Sequence, residues 1–134
     1  MSGLQPVNPE ELGAPKGYSN GMLAPAGGRL LFTAGQIGWD SGHRLVSEAF
    51  APQFAQALRN VAAVLKAAGG KPEHLARLTI YVTDRKLYLA QLAEVGKAYR
   101  EVMGKHYPAM ALLEVKALLE PGALVEIEGT AVLP

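Results

Sequence analysis

The stretch "HLARLTIYVTD", His74 to Asp84, alternates Leu78, Ile80 and Val82 against Arg77, Thr79, Tyr81 and Thr83. A period of two in a run rich in β-branched residues marks a strand with one face turned to a core. The segments on either side have a different period. Upstream, Phe54, Leu58, Val61, Ala62, Leu65 and Ala68 recur at helical spacing behind Pro52 and stop at Gly69-Gly70. A proline in the first turn of a helix loses no hydrogen bond, and paired glycines end one. Downstream, Tyr88, Leu92, Val95, Gly96, Tyr99, Val102 and Met103 form a single stripe, with Asp84 placed to cap its start and Gly104 to end it. A strand between two amphipathic helices is the kernel of an α+β domain.

Further out, the first 20 residues hold Pro6, Pro9, Gly13, Pro15 and Gly17, too many φ-fixing and φ-freeing residues for long regular structure, and read as an extended arm. "GMLAPAGGRLLFTAGQIG" predicts a short strand, a Gly27-Gly28 hairpin turn and a longer strand from about Arg29 to Gln36. "WDSGHRL" is a polar turn. Two strands close the chain, about Ala109–Ala117 and Ala123–Leu133, joined through "LLEPGA" in a hairpin whose turn dipeptide is Pro121-Gly122. The predicted order is β-β-α-β-α-β-β, a mixed sheet with both helices on one face.

On the last two strands one parity, Leu113, Val115, Val125 and Ile127, suits a helix-covered core. The other, Met110, Leu112, Glu114 and Lys116 with Leu124, Glu126 and Glu128, mixes bulky apolar groups with charges. A sheet face of that kind is expected to be partly buried against another subunit.

Composition narrows the class. A chain of 134 residues fits one hydrophobic core and one domain, 1–134. Hydrophobic residues make up 49% and charged residues 19%, the balance of an ordinary globule and not of a disordered chain. With 13 Lys+Arg against 12 Asp+Glu there is no basic stripe to track phosphates, so nucleic acid is not an expected partner. There is no cysteine, which removes disulfides, thiolate catalysis and Cys-ligated zinc. No apolar run reaches the length of a membrane span and "MSGLQPVNPEELG" has no secretory pattern, so the expected location is the cytoplasm.

Few residues offer chemistry. Glu126 and Glu128 project to the same side of a strand about 7 Å apart, and either serves as an acid or base only if partial burial lifts its pKa. A solvated strand face is the simpler explanation of the pair. His43, His74 and His106 have no metal-ligand spacing on a single element, and no nucleophile elbow, phosphate loop or dinucleotide fingerprint occurs; no metal and no cofactor are expected. Tyr18, in "GYSN", either anchors the arm or donates a phenol hydrogen bond to a ligand. Gly35, in "TAGQIGWD", marks a bulge or a close approach of another group.

The stretches "GYSNG", "LLFTAGQIGWDSGHRLV", "QALRNVAAVLKAAGG", "LTIYVTD", "YPA" and "PGALVEIEGTAVL" resemble, in order and spacing, the RidA (YjgF, reactive intermediate deaminase) family over about nine-tenths of the chain. The resemblance implies a chorismate-mutase-like α+β fold, a homotrimer, small-molecule ligand clefts between subunits, and hydrolysis of enamine/imine intermediates such as 2-iminobutanoate. It places Tyr18 on the family's cleft tyrosine, Gly35 on its cleft glycine and Glu126 on the glutamate that positions water. Some relatives are also described as endoribonucleases or translation inhibitors.

Three positions depart from the pattern. Met110 stands where the family's carboxylate-binding arginine is expected, Ala34 where a serine is, and Gly96 where an asparagine is. A guanidinium grips a carboxylate through two charge-assisted hydrogen bonds, and a thioether has no donor to offer. The expectation is a cleft that binds a small, less acidic molecule, and in which any hydrolysis has Glu126 orienting water and Tyr18 hydrogen-bonding the substrate. Another cation supplying the clamp, or a non-catalytic binding module, are the alternatives. With the last two strands in one hairpin, Met110 and Glu126 stand roughly 13–23 Å apart along the strands, and are expected to meet only across a subunit boundary.

Overall fold

The computed structural model describes residues 2–134. Its elements are β1 (Gln5–Val7), β2 (Gly21–Leu23), β3 (Arg29–Phe32), β4 (Gln36–Ile37), α1 (Phe50–Ala67), β5 (Leu75–Val82), α2 (Arg85–Ala90), α3 (Leu92–Met103), β6 (Ala109–Glu114) and β7 (Val125–Leu133). Single 3₁₀ turns lie at Glu10–Leu12 and Pro72–His74. The α+β class and the helix-on-sheet layering agree with expectation.

β5 is the hub of the sheet. Leu78, Ile80 and Val82 are buried beneath the helices while Arg77, Thr79 and Tyr81 point the other way. The core they enter contains Phe54, Leu58, Val61 and Leu65 of α1, Val95 and Met103 of α3, and Val125 and Ile127 of β7.

The strand order is β3-β7-β5-β6, with β4 also on β7. The expected hairpin between the last two strands does not form. β7 runs antiparallel along one side of β5 and β6 parallel along the other, so β5 separates them. A turn dipeptide fixes where the chain reverses, not which neighbour the returning strand takes. A parallel β5–β6 pair requires a crossover, and α2 and α3 supply it.

Pairing also corrects the expected parity of β6. Met110 is in register with Leu78 and Leu112 with Ile80, which puts them on the helix-covered side; Leu113 is in register with Tyr81 on the open side. For β7 the expectation holds, with Val125 and Ile127 in the core and Glu126 and Glu128 on the open side opposite Tyr81 and Thr79.

The N-terminal hairpin is likewise different. β2 pairs with β1, in a separate two-stranded sheet, and β3 pairs with β7. Gly27 does turn the chain, at φ +80°, but the strands flanking it part. The expected strand from Arg29 to Gln36 is interrupted. From Phe32 to Gln36 the chain advances four residues while its partners, Thr130 to Ile127, advance three, so one residue bulges out around Ala34-Gly35.

The single second helix expected from the apolar stripe is two, broken at Gln91 (φ −120°, ψ 29°). At the break Gln91 Oε1 accepts the Ala51 N–H at 2.9 Å and so caps α1, whose own Ala49 has no capping atom. Asp84 caps α2 as expected, accepting from Lys86 N at 2.9 Å, and Gly104 ends α3 at φ +63°.

Gln53 fixes the approach to β7. It is fully buried in α1, donates to Ser47 O and Gly122 O at 2.9 and 3.0 Å, and accepts the Leu124 N–H at 2.8 Å. Replacing it removes the partner of three partly buried backbone groups, each costing on the order of 1–3 kcal/mol where water does not take its place. Gln53→Leu is therefore expected to lower unfolding stability by about 2–4 kcal/mol in denaturant titration, whereas Gln56→Leu, on the partly exposed side of the same helix, leaves it nearly unchanged.

Candidate functional site

The six residues singled out in the sequence fall into two groups. Gly96 and Met110 line one cavity of about 170 Å³ between α3 and β6, whose other walls include Phe54, Tyr88, Val95 and Tyr99. Gly17 lines it too, which brings the arm residue next to Tyr18 to its edge. The arm is held there by backbone and side chain: Ser19 N donates to Pro108 O at 3.1 Å and Ser19 Oγ to Tyr107 O at 2.6 Å. Tyr18 is consequently fixed beside the start of β6 with 39% of its surface open to solvent.

The walls of this cavity are tied to their surroundings by ring packing and a hydrogen bond. Tyr99 stacks on Tyr107 with centroids 5.3 Å apart, and its hydroxyl donates to His106 O at 2.7 Å. Burial pushes the Tyr99 phenol well above its ordinary range, with the neighbouring Tyr107 adding to the shift, so it stays protonated. Phe50 packs edge-on against Tyr88 at 6.1 Å. The lining residues carry no cation, and Met110 is one of the apolar groups among them.

Ala34, Gly35 and Glu126 make the second group, on the other side of β5. The bulge carries Gly35 under the Glu126 side chain, where a Cβ would stand 2.7 Å from Glu126 Cδ and collide with the carboxylate. Absence of a side chain at 35 is therefore what gives Glu126 its place, and both sequence readings of Gly35, bulge and close approach, are met at once.

Within one chain the two groups do not meet. Met110 is in register with Leu78 and Glu126 with Tyr81, on opposite sides and opposite faces of β5. Three residues along the strand and two strands across correspond to a Cα separation of about 14 Å with the sheet between.

Sequence reading overlooked Tyr81. It lies on the open face opposite Glu126 and donates to Glu128 Oε1 at 2.7 Å. That hydrogen bond, followed by desolvation and the charges of Glu128 and Glu126, raises the phenol's pKa against a smaller opposing pull from Arg77. The polar parity of "ARLTIYVTD" carried the signal, once β5 is known to lie beside β7. Arg77, Thr79 and Glu128 line a further cavity of about 210 Å³ on this face, next to Phe32.

The histidines have structural partners. His74 Nδ1 accepts from Lys71 N, His106 Nε2 meets Leu75 O at 2.7 Å, and His43, at φ +59°, stacks on Trp39. Among the described residues no three His, Cys, Asp or Glu side chains converge as metal ligands. No described helix is long and apolar enough to cross a membrane.

A family profile described as endoribonuclease L-PSP matches residues 9–133. The human protein named 2-iminobutanoate/2-iminopropanoate deaminase is 33% identical over 121 residues, covering 90% of this chain and 82% of its own. A RutC family protein of Aquifex aeolicus is 40% identical over 104 residues, covering 77% and 80%. Among solved structures, the Rid family protein YyfB of Yersinia pestis superposes with a TM-score of 0.86 at 32% identity, covering 98% of this chain and 99% of that one. E. coli TdcF with bound serine superposes with a TM-score of 0.67 at 27% identity, covering 91% and 92%. With the profile spanning residues 9–133, a curated relative 33% identical over 90% of the chain and the fold of a Rid family protein matched over nearly its whole length, the chain belongs to the Rid (YjgF/RutC) family.

Proposed function

We propose that this chain works as a single-domain homotrimer whose clefts lie between subunits, and that it binds a small metabolite there and hydrolyses an imine- or enamine-type C–N bond. The observation that carries this reading is the division of the candidate residues. One chain offers a pocket lined by Gly17, Gly96 and Met110, with Tyr18 next to Gly17 in the arm, and, on the far face of β5, a carboxylate seated over Gly35. Neither group is a site alone, and a second copy brings them together. The open sheet face supports assembly: Leu30, Phe32 and Leu113 expose 62%, 69% and 45% of their surface on it, more apolar area than a solvated face retains.

In this reading Glu126 accepts a proton from water as the water oxygen attacks the imine carbon, and the C=N electron pair moves to nitrogen, which is protonated. Collapse of the resulting carbinolamine releases ammonia and leaves the carbonyl. Tyr18 donates its phenol hydrogen bond to the substrate. The deaminase names of several relatives support the reaction class.

Met110 sets the limits of the site. Loss of a partly buried guanidinium–carboxylate pair costs on the order of 2–5 kcal/mol, about 30- to several-thousand-fold in binding. Short 2-imino acids are held poorly at that point, and the end of the ligand that meets Met110 is apolar.

In a coupled assay that generates 2-iminobutanoate from an amino acid, the unaltered protein is expected to accelerate ammonia release only weakly, and Met110→Arg to raise the rate by at least about tenfold. Normal deaminase rates without the substitution would refute the proposed role of Met110. Glu126→Gln is expected to lower hydrolysis of any accepted imine by about 100-fold while leaving thermal unfolding unchanged. The near-neutral charge, +1, supports a small-molecule site over an RNA site. Stringently purified protein is accordingly expected to cleave RNA no faster than Glu126→Ala does; cleavage that Glu126→Ala abolishes would contradict this.

A further inference from the structure

We propose that Arg100 supplies the cleft with a cation from α3, and that the site thereby selects a ligand carrying an anionic group next to a branched aliphatic or aromatic one. The proposal rests on the reading of the Met110 cavity as the ligand site and names the chemistry that site takes. Gly96, which lines the cavity, has no side chain, and Arg100 one turn later folds back over the bare turn, its Nη1 3.1 Å from where a Cβ at 96 would stand. A Cβ at 96 would press on the guanidinium and displace its tip, so the bare turn is what lets Arg100 lie this close to the cavity wall. The positions that share a helix face with Arg100 are Gly96, Lys97, Met103 and Gly104, so no carboxylate at i±3 or i±4 neutralises it and Lys97 adds to its field.

The cavity and this cation divide the ligand between them. Phe54, Val95 and Met110 would strip water from a carboxylate pushed to the floor and return no hydrogen bond. An apolar group meets no such cost, and at about 170 Å³ the space matches the roughly 150 Å³ that admits a benzene ring. The apolar group therefore enters towards Met110, and the anionic group stays at the α3 rim, where the guanidinium fork accepts a carboxylate in two parallel hydrogen bonds. A 2-oxo or 2-imino acid with a leucine- or phenylalanine-like side chain has this shape; 2-iminobutanoate, with its two-carbon tail, leaves the floor unfilled.

Titration calorimetry with 4-methyl-2-oxopentanoate and its neutral amide, on the full-length protein, tests the assignment. The acid is expected to bind at least about tenfold more tightly than the amide. Arg100→Met should remove that difference while leaving the amide's affinity within about twofold, and Arg100→Lys should recover part of it. Arg100 is exposed on α3, so these variants are expected to fold. Equal binding of acid and amide by the unaltered protein, or a loss of both in Arg100→Met, overturns the role of Arg100 while leaving the cleft itself standing. If neither compound binds, the assignment of Arg100 fails together with the reading of the cavity as a ligand site.

Discussion

The arrangement depends on β5 lying between β6 and β7, parallel to one and antiparallel to the other. Its buried residues Leu78, Ile80 and Val82 bind the sheet to the helices, and its register decides what each neighbour presents. Met110 is turned under α3, and Glu126 to the uncovered face. Had the last two strands formed a hairpin, the same residues would have shared one sheet face. The parallel pairing also forces a helical crossover, which covers Met110 with Tyr88, Val95 and Tyr99 and makes a half-open pocket where an open strand end would otherwise be.

A small set of side-chain hydrogen bonds holds the irregular segments against this frame. Gln53 anchors the loop entering β7, Gln91 caps α1 from the break between α2 and α3, and Ser19 ties the arm to Tyr107 and Pro108. Asp40 does the same in the turn after β4. It accepts the Gly42 and Arg44 N–H groups at 2.8 and 3.2 Å, and these bonds hold its carboxyl below the usual range. Residues on loops thereby acquire the fixed positions that a binding site requires.

What could be read in the sequence was local. The alternation of Leu78, Ile80 and Val82, the stripe of α1, the Asp84 cap and the Gly104 stop each follow from a few neighbouring residues, and each appears in the fold. Strand order was not legible, because Pro121-Gly122 specifies a reversal and says nothing of the strand that lies alongside. The break at Gln91 was hidden for a related reason: glutamine is a good helix former, and the Ala51 N–H that it accepts at the break is distant in the chain. In the candidate site the residues were named by resemblance, while their division between two faces, the partnership of Tyr81 with Glu128 and the return of Arg100 over Gly96 emerged only from pairing and packing.

Gly35 and Gly96 show how an absent side chain shapes chemistry. One gives room to a carboxylate and the other to a guanidinium, and each stands at the edge of a different group of candidate residues. The central claim is that these groups complete one another between copies of the chain. Because the sequence has no cysteine, an engineered pair reports without background. With Met110→Cys and Glu126→Cys combined in one chain, a short bifunctional maleimide is expected to yield covalent dimers and trimers on a denaturing gel. Chains that remain monomeric after both cysteines have been shown to react would contradict a site shared between subunits.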